Sequence, residues 1–358
     1  MYFNTHIHTF LHVDVPVKFL PLGLVRLLAT KAGSQALAKA LNNINPFSSD
    51  DLFDRYVKFF NTSKLGSQEA IFDQCRQYYP EDTSFVVLPM DMAFMGAGKV
   101  KRPYEEQLDE LTDLAKKIPQ IIPFMHIDPR RPGITEMFKR YVEEKGVRGV
   151  KLYPPLGYFP YDEGLYPIYD YCNRNNLPVI SHCSPHNLVH YRGSRKKIEA
   201  LLAKSRKPID TSGKKDKDLF PYFAHPANYK YVMKDFSKLR ICVAHFGSGE
   251  YWKQWLEEPS AEDNWFRIIR DMIRKYDNFY TDVSFTLNSG EYFSLLKVLM
   301  YDEKINRKIL FGSDYYMVQT KTDERRFGID LRAFLGNDYF KMISEKNPRR
   351  FLGIQKAK

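Results

Sequence analysis

Cysteine is scarce: the 358 residues hold four, Cys75, Cys172, Cys183 and Cys242. They lie far apart with no C-x-x-C spacing, which argues against a sulfur-bound zinc site or a disulfide frame and for reduced, mostly buried thiols. No run of about 18 or more uninterrupted apolar residues occurs, so no membrane span is expected. The apolar stretch over 19–25 is too short and is broken by Pro21 and Gly23, although it could touch a membrane or partner surface. No basic segment leading into an apolar run opens the chain, and a cytoplasmic location is the expectation. Internal repeats and low-complexity tracts are also missing. Acid is in deficit, with 43 Asp and Glu against 54 Lys and Arg for a net charge of +11. Much of that excess gathers over 192–217 without a recognisable nucleic-acid module, so no nucleic-acid partner is expected. The stretch reads first as a solvated helix and a polar loop, and second as a region that steers or binds an anion.

What is present is the patterning of a globular α/β chain, 44% hydrophobic and 27% charged. Short apolar segments recur at 2–7, 85–90, 121–127, 147–153, 178–181, 240–244, 279–283 and 308–311, which predicts eight strands. Helical stripes lie between them: Ile134, Met137, Phe138, Tyr141 and Val142; Leu165, Ile168, Tyr169 and Cys172; and Trp265, Ile268, Ile269, Met272, Ile273 and Tyr276. Eight strand-helix units favour a (β/α)8 barrel, a single domain over 1–358, rather than an open doubly wound sheet. About 75 residues separate the first two strands, far more than a crossover needs, so 10–66 is expected to be a helical insertion. Its helices are predicted over 17–30, 34–44 and 51–60, ahead of a barrel helix over 67–79. Because it follows a strand end, it reads as a lid over the active-site face, with a dimer contact or a packed ornament as the alternative. A homo-oligomer stays open.

Chemistry concentrates at strand ends. In Asn4-Thr5-His6-Ile7-His8-Thr9, His6 and His8 alternate with apolar Phe3 and Ile7, which places both imidazoles on one face. Lys151 ends GVRGVKLYPP, His182 ends LPVISH, His245 ends RICVAH and Asp314 follows KILFGS. In a barrel all carboxyl ends meet on one face, so His6, His8, His182 and Asp314 can fill a divalent coordination shell and leave room for water. Cys183 adjoins one of these residues but is expected to point the opposite way.

This ordered set resembles the amidohydrolase superfamily, and within it the branch of aminocarboxymuconate-semialdehyde decarboxylase and its relatives. The resemblance covers nearly the whole chain and rests on THIHTF, FMHIDPRRPG, GVRGVKLYPP, PVISHC, FSKLRICVAHFGSG, NFYTDVS, ILFGSDYY and NPRRFLGI. It implies a metal-bearing barrel with hydrolase or nonoxidative decarboxylase activity. His6, His8 and His182 would be metal ligands, His245 a ligand or an acid/base, and Asp314 a ligand that also handles a proton. Lys151 would be either a carboxylated bridge between two ions or, with one ion, a free ammonium for a substrate carboxylate or a buried acid. Zinc is the first choice of metal, with manganese or iron as alternatives, and one or two ions are allowed.

A bound zinc ion lowers the pKa of its water toward about 7 and polarises a carbonyl. The expected function is therefore a hydrolase in which metal-activated water attacks an amide, ester, lactone or related bond of a small molecule, an anionic one included. A decarboxylase of a carboxylated aromatic or enoic acid and a non-catalytic metal-binding barrel are the alternatives. His126, Tyr153, His225 and Arg192 are candidate substrate contacts, each with a bland counterpart in core, loop or solvent. Asp91, Asp128 and Asp282 could orient ligating imidazoles or hold caps and turns. Tyr315 and Tyr316 could line the pocket or pack in the core. His12, His186 and His190 read as lid or helix residues.

Overall fold

A computed structural model of the chain describes residues 2–19, 61–185, 189–288, 290–318 and 322–354. The strands are β1 (Phe3–Ile7), β2 (Ser84–Val87), β3 (Ile121–Pro123), β4 (Met125–His126), β5 (Val150–Leu152), β6 (Val179–Ser181), β7 (Ile241–Val243), β8 (Phe279–Asp282) and β9 (Ile309–Leu310). They pair in parallel in the order 1-2-3 and 4-5-6-7-8-9. The two runs join where the Phe124 amide donates to Val87 O (3.1 Å) and the Met125 amide to Gly149 O (3.0 Å). The ring closes where the Thr5 amide meets Phe311 O (2.9 Å) and Ile7 bridges Tyr315. The chain is an α/β barrel. The third predicted strand is split in two at Phe124, where its regular pairing passes from β2 on one side to β5 on the other.

The helices follow the predicted stripes. They include α1 (Gln68–Arg76), α2 (Tyr104–Lys117), α3 (Ile134–Lys145), α4 (Tyr166–Arg174) and α5 (Trp265–Lys275). Helix α5 starts where the Asn264 side chain accepts from the Arg267 amide (2.9 Å) and buries Trp265, Phe266, Ile268, Ile269, Met272 and Ile273 against the barrel. Each such side chain contributes roughly 1.5–3 kcal/mol. Helix α3 ends at Gly146, whose φ of 80° lets its amide reach back to Tyr141 O.

The barrel interior is filled below the site. Phe3, Val86, Phe124, Ile180, Cys242, Tyr280 and Leu310 come from almost every strand, form one buried cluster and are stoppered by Phe351 and Leu352. Gly149 is glycine for a spatial reason, since a Cβ there would sit 2.5 Å from the Phe124 ring. This layer corrects the simple alternation expected of the first strand. Phe3 faces the interior cluster while Ile7 packs under the helices, and a register irregularity between Asn4 and Ile7 makes the change. Cys183, by contrast, packs outward with its thiol on Ala224 O.

The start of the insertion runs beside the loop after β2, with the Val17 and Lys18 amides donating to Lys99 O and Ala97 O. Asp14 there accepts a two-pronged bond from Arg102, both contacts at 2.6 Å. The helices predicted over 34–44 and 51–60, and nearly all of the one over 17–30, lie outside the described residues, as does His186.

Candidate metal centre and active-site pocket

His6 is fully buried, and its Nδ1 meets Asp282 Oδ2 at 2.9 Å. His8 offers Nδ1 to Leu88 O at 2.7 Å. A carbonyl and a carboxylate only accept, so both rings carry their proton on Nδ1 and leave Nε2 bare. Those bare nitrogens face Asp314 Oδ1, at 3.6 Å from His6 and 3.2 Å from His8. Burial, helped by the Lys151 charge, lowers the His6 pKa to about 3, so this imidazole stays a neutral electron-pair donor at any working pH. Burial works to raise the Asp314 carboxyl, but the closeness of His8, His6 and His245 brings it below the usual carboxylate range. The donor atoms of His6, His8 and Asp314 all lie within 4.8 Å of one another. Electron pairs converging from three sides of a buried space fit a divalent cation.

Local backbone geometry makes this convergence. Gly312 lies against His6, where a Cβ would come within 2.7 Å of the histidine Cβ. Asp314 (φ 63°) and His245 (φ 67°) adopt the left-handed conformation that non-glycine residues rarely take. The Asp314 amide is tied to His6 O (2.8 Å), so the eighth predicted strand end is keyed to the first.

Asp282 is the hub behind the site. One oxygen holds His6, while the other accepts the amides of His245 (2.9 Å) and Ser284 (3.1 Å) and the Ser284 hydroxyl. Burial alone would raise this carboxyl, but His6 and His245 hold it well below the usual range. Asp282→Asn is expected to weaken zinc binding roughly 10–100-fold, because an amide can turn a donor toward His6 and release its tautomer. A chelator-competition titration checks this.

His182 and His245 form an adjoining pair, with His245 Nε2 3.0 Å from His182 Nδ1 and His245 Nδ1 3.0 Å from Ser284 O. Both His245 nitrogens are therefore engaged. His182 stacks on Tyr153 with ring centroids 4.2 Å apart, and neither histidine of the pair joins the three-residue cluster. Lys151 is fully buried with Nζ 3.3 Å from His6 Nε2, and burial lowers its pKa to about 8.

A cavity of about 380 Å³ opens over these groups, with His8, His182, His245 and Asp314 on its surface and Tyr153 and Met317 among its walls. Among the described residues no Lys or Arg lines it, whereas Glu250 and Glu291 do. The other candidate substrate contacts are placed elsewhere. His126 is fully buried beside Asp91, whose amide donates to its Nδ1 (3.1 Å). His225 caps a short turn and meets Asp263 at 3.0 Å. Arg192 lies over the Phe19 ring, and its amide donates to Met95 O. Asp91 and Asp128 hold Arg131 and Arg130 rather than a ligating imidazole. Tyr315 and Tyr316 are core residues. Ser284, in the TDVS stretch, was missed by sequence reasoning. So was the Leu88 carbonyl, which no side-chain pattern could reveal.

A sequence model of a family described as amidohydrolase matches residues 60–354. Comparison with curated proteins finds no match. Among solved structures the fold is similar to that of 4-oxalomesaconate hydratase from Rhodopseudomonas palustris, at 14% identity and a TM-score of 0.53 over 99% of this chain and 96% of that one. It is similar also to a probable 2-pyrone-4,6-dicarboxylic acid hydrolase from Acinetobacter baumannii, at 11% identity and a TM-score of 0.53 over 99% of each chain. A Burkholderia multivorans amidohydrolase with bound zinc shares 10% identity, with a TM-score of 0.52 over 99% of this chain and 100% of that one. At these identities the likeness is one of fold.

Proposed function

The chain belongs to the amidohydrolase family of enzymes, and we propose that it is a metal-dependent hydrolase that adds water across an amide, ester, lactone or related carbonyl bond of a small molecule. The observation that carries this reading is the set of electron-pair donors on His6, His8 and Asp314, facing one another within 4.8 Å at the base of a cavity. These three residues would hold a divalent ion, zinc in the first instance, which would supply Lewis acidity and a water of lowered pKa. Asp314 accepts the proton of the attacking water and returns it to the leaving group. His245, hydrogen-bonded to His182 and Ser284, is a second proton station beside it. One ion suits the site, because among the described residues the metal-holding donors gather in a single cluster, His6, His8 and Asp314.

The cavity wall adds a preference. Glu291 on that wall offers a carboxylate to a hydrogen-bond donor or cationic group of the substrate. Hydrolysis of an ester, lactone and amide panel in ¹⁸O-enriched water tests the reaction class. One labelled oxygen in the acid product is the expected result. Release of CO2 from a carboxylated substrate, with no label taken up, would replace the hydrolase reading by the decarboxylase one.

A further inference from the structure

Behind the site, on the helix side of β1 and β9, lies a second polar cluster with an uncommon member. Glu324, at the start of the helix Glu324–Leu335, is fully buried among Tyr79, Ser313 and apolar neighbours. A buried carboxyl is costly to keep, and a neutral or apolar side chain of the same size would cost less. Its hydrogen bonds suggest what it does. The Tyr79 hydroxyl donates to Glu324 Oε1. With its only proton spent there, the phenol oxygen can only accept from Asn4, whose Nδ2 lies 3.0 Å away. Asn4 Nδ2 also reaches Ser313 Oγ at 2.9 Å. The asparagine amide is thereby turned one way, with Oδ1 free to accept the backbone N–H groups of Ser313 (3.1 Å) and His6 (3.2 Å). Ser313 Oγ in turn accepts the Tyr315 amide at 3.2 Å.

The chain of donors thus runs in one direction, and it ends on the backbone of the two segments that carry the metal donors. His6 is itself one terminus, and Ser313 and Tyr315 flank Asp314. We propose that Glu324 is a positioning residue for the metal centre, acting through Tyr79 and Asn4 to hold the β1 and β9 ends in register. This rests on the metal-centre reading above. An acceptor-only carboxylate, the form Glu324 takes above its raised pKa, is what the relay needs, because a group that could also donate would let Tyr79 reverse its hydroxyl and Asn4 flip its amide. A flipped Asn4 would set its NH2 against two backbone N–H groups and push the strand ends apart. The two halves also sense each other electrically, since the Asp314 charge adds to the burial that raises Glu324 to about 7.

The test compares zinc affinity, by chelator competition at pH 8, with thermal stability in Glu324→Gln, Tyr79→Phe, the double variant and His6→Ala. Expected are about tenfold weaker zinc binding in each relay variant, and a double variant no worse than either single one, because both cut the same chain. Zinc affinity within twofold of the parent in Glu324→Gln and Tyr79→Phe, beside abolished binding in His6→Ala, would overturn the positioning role alone, whatever happens to the melting temperature. Unchanged affinity in all four would overturn the metal centre with it. Should Glu324→Gln fail to fold, Tyr79→Phe removes only one hydroxyl and decides the question.

Discussion

His6→Ala is expected to leave the purified protein without bound divalent ion and without turnover, the two losses tracking each other across zinc concentrations. A protein zinc site is worth roughly 10–16 kcal/mol in apparent binding free energy. Losing one of three donors removes about a third of that, roughly 3–5 kcal/mol or a few hundredfold to several thousandfold in affinity. The fold should survive. Asp282, which loses its His6 partner, keeps the amides of His245 and Ser284 and the Ser284 hydroxyl. The stability cost is then that of a small cavity and a partly satisfied carboxylate, about 2–3 kcal/mol. Metal analysis and circular dichroism on the same preparation check both halves, and full metal content with turnover in this variant would sink the site.

Asp314→Asn separates chemistry from architecture. The amide matches the carboxylate in shape, and its NH2 can donate to the bare Nε2 of His8 where Oδ1 now lies 3.2 Å away. The backbone bond from the Asp314 amide to His6 O does not depend on the side chain. Stability should therefore change by no more than about 1 kcal/mol. Activity should fall at least about 10²–10⁴-fold, because the proton acceptor is lost together with an anionic metal donor. Steady-state kinetics at saturating zinc beside a melting curve reads both quantities. A loss of turnover explained by unfolding would reassign Asp314 to a structural part.

Much of this centre is legible in the sequence because strand ends are. His6 and His8 sit two apart at the end of an apolar segment, and Lys151, His182, His245 and Asp314 each follow one, so a barrel must bring them to one face. The helical stripes of α3, α4 and α5 were readable for the same kind of reason, since the period of a buried face is set by backbone geometry. What stayed hidden depends on contacts between distant segments. No local pattern separates His126 or His225, which lie away from the pocket, from His182, which lines it. The irregularity that turns Phe3 inward is a product of pairing with β2 rather than of β1 itself. Which imidazole nitrogen is bare depends on Leu88 O and Asp282, some 80 and 276 residues away. The buried state of Glu324 had no sequence signal, because a glutamate at a helix start ordinarily faces water.

Metal content per chain, by elemental analysis of protein purified without chelator or added metal, tests the central claim most directly. The arrangement of His6, His8 and Asp314 predicts about one zinc or comparable divalent ion per chain. No bound ion, even after incubation with zinc and removal of the excess, would contradict it.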